Sequence, residues 1–103
     1  MADRIRELVG MRGISEKRMF GGLAFLVNGN MAVAASSKGG IMVRVDPSQS
    51  DKLLTKAHTS RMVMRGKEMD GWLRVAGDGV KTKRQLEAWV NTGMEYARSL
   101  KVK

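Results

Sequence analysis

The chain contains no cysteine, one proline and one histidine in 103 residues. Without cysteine there is no disulfide framework, no thiolate metal site and no thiol nucleophile, and the redox compartment stays open. No apolar run is long enough to span a bilayer, and the opening Met-Ala-Asp-Arg-Ile-Arg-Glu lacks the apolar region of a signal peptide. The expectation is a soluble cytoplasmic protein with no membrane partner. The single histidine, His58, has no further ligand at a fitting spacing, so no metal site is expected. No serine sits in a Gly-x-Ser-x-Gly elbow. Glu68 and Asp70 stand two apart on an expected loop, but Arg65 and Lys67 beside them read as a solvated turn rather than a catalytic carboxylate pair. With no catalytic constellation, the chain is expected to be a non-enzyme without a cofactor.

What is present points to a folded domain. Hydrophobic residues make up 43% of the chain, too many for disorder, and its length suits one domain over residues 1–103. Nineteen Lys and Arg against ten Asp and Glu leave a net charge of +9. Such an excess favours encounters with polyanions and says nothing about fold. The cations are dispersed, apart from the short cluster Lys81-Thr82-Lys83-Arg84.

The longest low-charge run, Arg18 to Ala35, is divided by Asn28-Gly29. Asn-Gly between apolar runs signals a hairpin, because both residues accept the positive φ of a tight turn. Gly21-Gly22 marks a second bend or close backbone approach. A three-residue loop at Asn28 places Met31, Val33 and Ala35 on the face of Phe25, and a two-residue loop places the opposite set there. Before this run, Ile5, Leu8 and Val9 predict a short helix over 3–11, capped by Asp3 and stopped by Gly10 and Gly13. After it, Ile41 to Val45 reads as a strand.

Asp46-Pro47-Ser48-Gln49 reads as a helix start, with the helix ending near His58-Thr59-Ser60. Arg61–Arg65 and Trp72–Ala76 form the arms of a second hairpin turning at Asp70-Gly71. Thr82-Lys83-Arg84-Gln85 is a capping box opening a last helix, with Leu86, Trp89, Val90, Gly93, Ala97 and Leu100 on one face. Gly93 inside that face suits a close helix–sheet approach. The order α-β-β-β-α-β-β-α indicates an α+β domain, two-layer, with a mostly antiparallel sheet.

Two surface features carry functional expectations. Gly77-Asp78-Gly79-Val80-Lys81-Thr82 is not a phosphate loop, since Val80 separates Gly79 from Lys81. Even so, Lys81, Lys83 and Arg84 at a helix N-terminus oppose the macrodipole by roughly 0.3–1 kcal/mol each, and an anion there relieves the conflict. Nine methionines are the other oddity. Met62, Met64 and Met69 fall near Trp72, and if Val63 points inward the methionines form an exposed interface; a Met-rich sheet cover is the alternative.

Arg18-Met19-Phe20-Gly21-Gly22, followed by Asn28-Gly29 and Met31, resembles the opening hairpin of the TfoX/Sxy N-terminal domain family. Ile41-Met42-Val43-Arg44-Val45-Asp46 resembles its third strand, which commonly carries a basic residue where Arg44 stands. Met69 to Val75 and Leu86-Glu87-Ala88-Trp89 resemble its later hairpin and closing helix. The resemblance covers essentially the whole chain. It implies a two-layer, secretion-chaperone-like α+β domain and an association with regulation, since founding members activate natural-competence genes. Those regulators also carry a helical C-terminal domain, so the 103 residues correspond to a stand-alone N-terminal-like domain. The family supplies no catalytic residues.

Three functions follow as expectations. The first is a regulatory module binding a protein partner or a second copy of itself. The second is nucleic-acid binding through the net positive charge and the Lys81–Arg84 helix start. The third is a small anionic-ligand pocket near Arg18, Phe20 and Trp72.

Overall fold

The computed structural model describes residues 1–9, 14–19, 22–36 and 39–101, with backbone alone at Met19 and Met64. The expected helix stops at Gly10 and Gly13 lie outside the described residues. The elements are α1 (Ala2–Val9), β1 (Ile14–Met19), β2 (Gly22–Val27), β3 (Asn30–Ala35), β4 (Ile41–Arg44), a 3-10 turn (Pro47–Gln49), α2 (Ser50–Leu53), β5 (Thr59–Met64), β6 (Lys67–Val75), a second 3-10 turn (Gly77–Val80) and α3 (Lys83–Ser99). The strands form one six-stranded sheet in the order β1-β2-β3-β4-β6-β5. Every pairing is antiparallel. The two-layer α+β architecture is the expected one, with one strand more.

That extra strand is β1. The expected first strand began at Arg18, whereas Ile14–Met19 already pairs with β2 and Met19 faces Gly22 directly. Ile-Ser-Glu-Lys-Arg-Met carries no apolar alternation because β1 is an edge strand with Ser15 to Arg18 exposed. Its hydrogen bonds, not buried side chains, hold it in the sheet.

The Asn28-Gly29 hairpin forms as expected, with φ of 52° and 81°. Its register combines both anticipated forms. Val27 faces Asn30 and Leu26 faces Met31 across a two-residue turn, then the register shifts and Phe25 faces Val33. Ala32 is the extra residue of a β-bulge. Val33 and Ala35 therefore join Phe25 against the helices, while Met31 stays on the opposite face with Ala24.

Two sequence expectations are corrected in the second half. The β5–β6 turn is at Arg65-Gly66, where φ is 54° and 76°, not at Asp70-Gly71. Gly71 does need its positive φ of 80°, but inside β6, where the strand bends and a Cβ would lie 3.0 Å from the Val45 carbonyl oxygen. There the Val45 N–H donates to the Gly71 carbonyl at 2.7 Å. The middle helix is also shorter than expected. Asp46 accepts from the Ser48 N–H and caps a 3-10 turn, α2 ends at Leu53, and Thr59 and Ser60 belong to β5. At the chain start, Asp3 pairs with Arg6 within the first turn of α1 instead of capping it.

The core lies on one side of the sheet. Ile5 of α1 and Leu86, Trp89, Val90, Met94 and Ala97 of α3 pack on Phe25, Val33, Ile41, Val43, Leu73 and Val75. The capping box at Thr82 and Gln85 is formed in both directions. Helix α3 comes so close to β3 that a Cβ on Gly93 would fall 2.5 Å from the Ala32 carbonyl oxygen and 2.8 Å from a Val33 methyl. At the far end of α3, buried Asn30 donates from Nδ2 to the Lys101 carbonyl at 2.7 Å.

Helix α1 is tied to the edge strand by Arg6, which donates to both carboxylate oxygens of Glu16 at 2.7 and 2.8 Å and to Asp3. Those bonds hold the Glu16 carboxyl below its usual range. Hydrogen bonds from the Ser48 backbone and hydroxyl do the same for Asp46.

Gly93→Ala is expected to destabilise the protein by about 1–3 kcal/mol through overpacking, although alanine favours a helix interior. Urea unfolding monitored by circular dichroism measures it, and a neutral or stabilising result would mean α3 can lift without loss. The depressed carboxyls of Glu16 and Asp46 stabilise the fold at neutral pH, and that contribution disappears as pH falls through the carboxylate range, below about 4.3. Urea midpoints for the Glu16→Gln, Asp46→Asn double variant should therefore depend less steeply on acid pH than those of the parent chain.

Candidate functional site

Because the helices occupy one face, the other face of the sheet has to be filled by the strands themselves. Ala24, Met31, Ala34, Met42 and Met62 form a second buried cluster there, with Leu26, Met69 and Trp72 half-buried around it. Every one of these residues lies on a strand, so among the described residues no helix contributes to this cluster. Small Ala24 and Ala34 at its centre let the flexible methionines close over the sheet. This open face carries three of the four residues expected at an interface. Met62 is buried and Val63 is 57% exposed, the reverse of the orientation expected to expose Met62. The Met64 side chain lies outside the described residues.

Arg44, the last residue of β4, faces Trp72 across the β4–β6 ladder. Its guanidinium carbon is 5.6 Å from the Trp72 ring centroid and 5.8 Å from that of Tyr96 on α3. Both rings lie within cation–π range, worth about 0.5–2 kcal/mol according to exposure. Among the described residues no carboxylate pairs with Arg44. In the sequence Arg44 and Trp72 stand out separately, and Tyr96 does not stand out. No spacing rule joins a strand end, a distant strand and a C-terminal helix.

Tyr96 also borders a groove of about 330 Å³ between the first 3-10 turn, α2 and α3, whose ionisable walls include the carboxylates Asp46 and Glu95.

The other anticipated residues are scattered. Arg18 is exposed on β1 and faces Leu23, on the helix side of the sheet. Phe20 and Gly21 lie outside the described residues, and Met19 contributes a backbone position. Gly22 has a purely steric role here: a Cβ on it would fall 1.8 Å from the Ala35 carbonyl oxygen. Arg18 and Trp72 are thus on opposite faces, and the structure does not bring them into one pocket.

Lys81, Lys83 and Arg84 are exposed at the start of α3. Arg4 donates to the Lys81 carbonyl at 3.0 Å, adding a fourth cation, while Lys81 pairs with Asp78 at 3.6 Å. Lys83 and Arg84 line an open groove of about 500 Å³ together with Glu87, Ala88 and Asn91. His58 is exposed in the turn before β5 with φ of 63°. Among the described residues no group of three His, Cys, Asp or Glu side chains is placed to hold a metal ion.

Glu68 and Asp70 do converge, on strand β6 and around a cation. Arg61 of β5 lies 3.4 Å from Glu68, 3.8 Å from Asp70 and in hydrogen-bond contact with Asp51 of α2. The expected solvated turn is in fact a strand pair whose acids neutralise one arginine.

These observations define an α+β domain with a helix-covered sheet face and a second, methionine-lined face that no described helix covers. A family model for the TfoX N-terminal domain matches residues 6–97, and the chain belongs to that family. Comparisons with curated proteins and with solved structures returned no match. Among the described residues no helix is long and apolar enough to cross a membrane.

Arg61→Met should leave Asp51, Glu68 and Asp70 facing one another without their cation. These pairs are largely exposed, so the expected loss is only about 1 kcal/mol at neutral pH. It should shrink at high salt, which screens exposed ion pairs. Unfolding curves at low and high salt measure it, and a loss equal at both would show that Arg61 acts by packing alone.

Proposed function

We propose that the chain is a non-enzymatic regulatory module that works in the cytoplasm by binding another protein across its open sheet face. The observation that carries this reading is the ring of half-buried Leu26, Met69 and Trp72 around a methionine cluster that no described helix residue joins. Methionine and tryptophan together suit an adaptable interface, since thioethers repack at little cost and the indole supplies a large anchor. Membership of the TfoX N-terminal family, whose founding members regulate natural competence, supports the regulatory side of the reading. A second copy of the chain is the simplest partner this face or the β1 and β5 edges would accept.

The exposed cations at the start of α3 favour a second reading. Arg4, Lys81, Lys83 and Arg84 gather where the helix N–H groups point outward, an arrangement suited to a phosphate backbone. Asp78 and Glu87 beside them weaken it. Nucleic-acid binding at this site predicts an affinity that falls steeply with salt and drops when Lys83 and Arg84 become Ala.

A pull-down from the native cell with and without nuclease separates the readings. Protein binding at the open face predicts a nuclease-resistant partner that Leu26→Glu, Met69→Glu loses at least tenfold and Lys83→Ala, Arg84→Ala keeps. Sedimentation over a concentration series checks self-association. A nuclease-sensitive partner, or one retained by the open-face variant, would overturn the proposal.

A further inference from the structure

The open face is apolar at its centre and positive at its margin. In an antiparallel ladder, residues directly opposite share a face. Lys17 is opposite Ala24 and Arg74 is opposite Met42, so both cations lie on the face of the methionine cluster, while Arg44, opposite Trp72 at the end of β4, holds its guanidinium at the rim of that face, where Tyr96 of α3 also meets it. Lys17 and Arg74 are exposed and Arg44 is half-buried.

The ten carboxylates are elsewhere. Asp3, Glu7, Asp51, Glu87 and Glu95 are on the helices, while Asp46 and Asp78 belong to the 3-10 turns. Glu16, opposite Phe25, meets Arg6 of α1, and Glu68 and Asp70 meet Arg61, which is opposite Leu73; all three are on the helix side. The net charge of +9 is therefore unevenly distributed: the face without helices has cations and no acid among its described strand residues.

Arg44 is the most telling of the three. Two rings restrict its guanidinium, and among the described residues no carboxylate lies within ion-pair distance of it. A guanidinium held by aromatic rings keeps its hydrogen-bond donors pre-organised for a bidentate oxyanion. We propose that the partner of the open face is an acidic protein segment with apolar side chains, its carboxylates pairing with Arg44, Arg74 and Lys17 while its apolar residues seat on Met69, Trp72 and Leu26. This rests on the protein-binding reading above and adds the chemistry of the partner. The centre is built of methionine, alanine and leucine with one indole, and so offers no series of rings on which successive nucleobases would stack.

A phage-displayed library of random 12-residue peptides panned on the full chain tests this, followed by anisotropy titration of the enriched peptides. The proposal expects peptides rich in Asp and Glu with interspersed apolar residues, bound more weakly as salt is raised. Arg44→Gln should weaken them about tenfold, as for loss of one charged hydrogen bond. Arg44→Lys should lie between, because it keeps the charge and loses the planar fork. Arg74→Gln, Lys17→Gln, both at exposed positions, should weaken binding even if Arg44 variants fold poorly, and Lys83→Ala, Arg84→Ala should not.

Enrichment of neutral or basic peptides that Leu26→Glu, Met69→Glu abolishes would overturn the acidic-partner inference and leave the docking face standing. No enrichment, or binding indifferent to every open-face variant, would overturn both. Displacement of the acidic peptides by single-stranded oligo-dT at lower concentration than a scrambled acidic peptide would reassign the face to polyanions.

Discussion

The contact on which the molecule depends is the seating of α3 directly on the backbone of β3. Gly93 brings the helix axis close enough that no side chain fits between it and the Ala32 carbonyl. The bulge at Ala32 lets both Ala32 and Val33 meet the helix. Burial of Leu86, Trp89, Val90, Met94 and Ala97 then follows along one stripe of α3. Apolar burial of this kind is the main favourable term in folding, and here it draws both long helices to a single face.

A one-sided helix layer leaves the reverse of the sheet to solve its own packing. Alanines at the centre and methionines around them close the surface from within the strands. The edge strands are managed differently. Ser15 to Arg18 present polar side chains outward along β1, and the Arg61 cluster ties β5 to β6 and α2. The charges sort along with the layers. The helix side of the sheet carries the acids that satisfy Arg6, Arg61 and Ser48, whereas the open face keeps Lys17 and Arg74, with Arg44 at its rim. A composition that reads only as a dispersed basic excess becomes a face with one sign of charge.

Much of the fold was legible from local chemistry. Asn28-Gly29 announced its turn because two adjacent residues that tolerate positive φ need no distant partner to form it. Thr82 and Gln85 announced the start of α3 for the same reason, and Gly93 was recognisable as a place of close approach. Strand β1 was not legible, since an exposed edge strand has no apolar alternation. Asp70-Gly71 misled because glycine signals positive φ without saying whether the chain reverses or merely bends. Of the candidate site, Met62, Met69 and Trp72 were visible as a group, while the meeting of Arg44 with Tyr96 was not.

The sequence by itself determined the caps, the tight turns and the apolar stripe of α3, all of which arise from residues within a few positions of each other. Only the tertiary structure decided which strand face the helices cover, where the bulge resets the hairpin, and which cations are left beside the methionines. Those outcomes depend on side chains tens of residues apart competing for the same space, and the winner is set by volume and hydrogen-bond geometry that no short window contains.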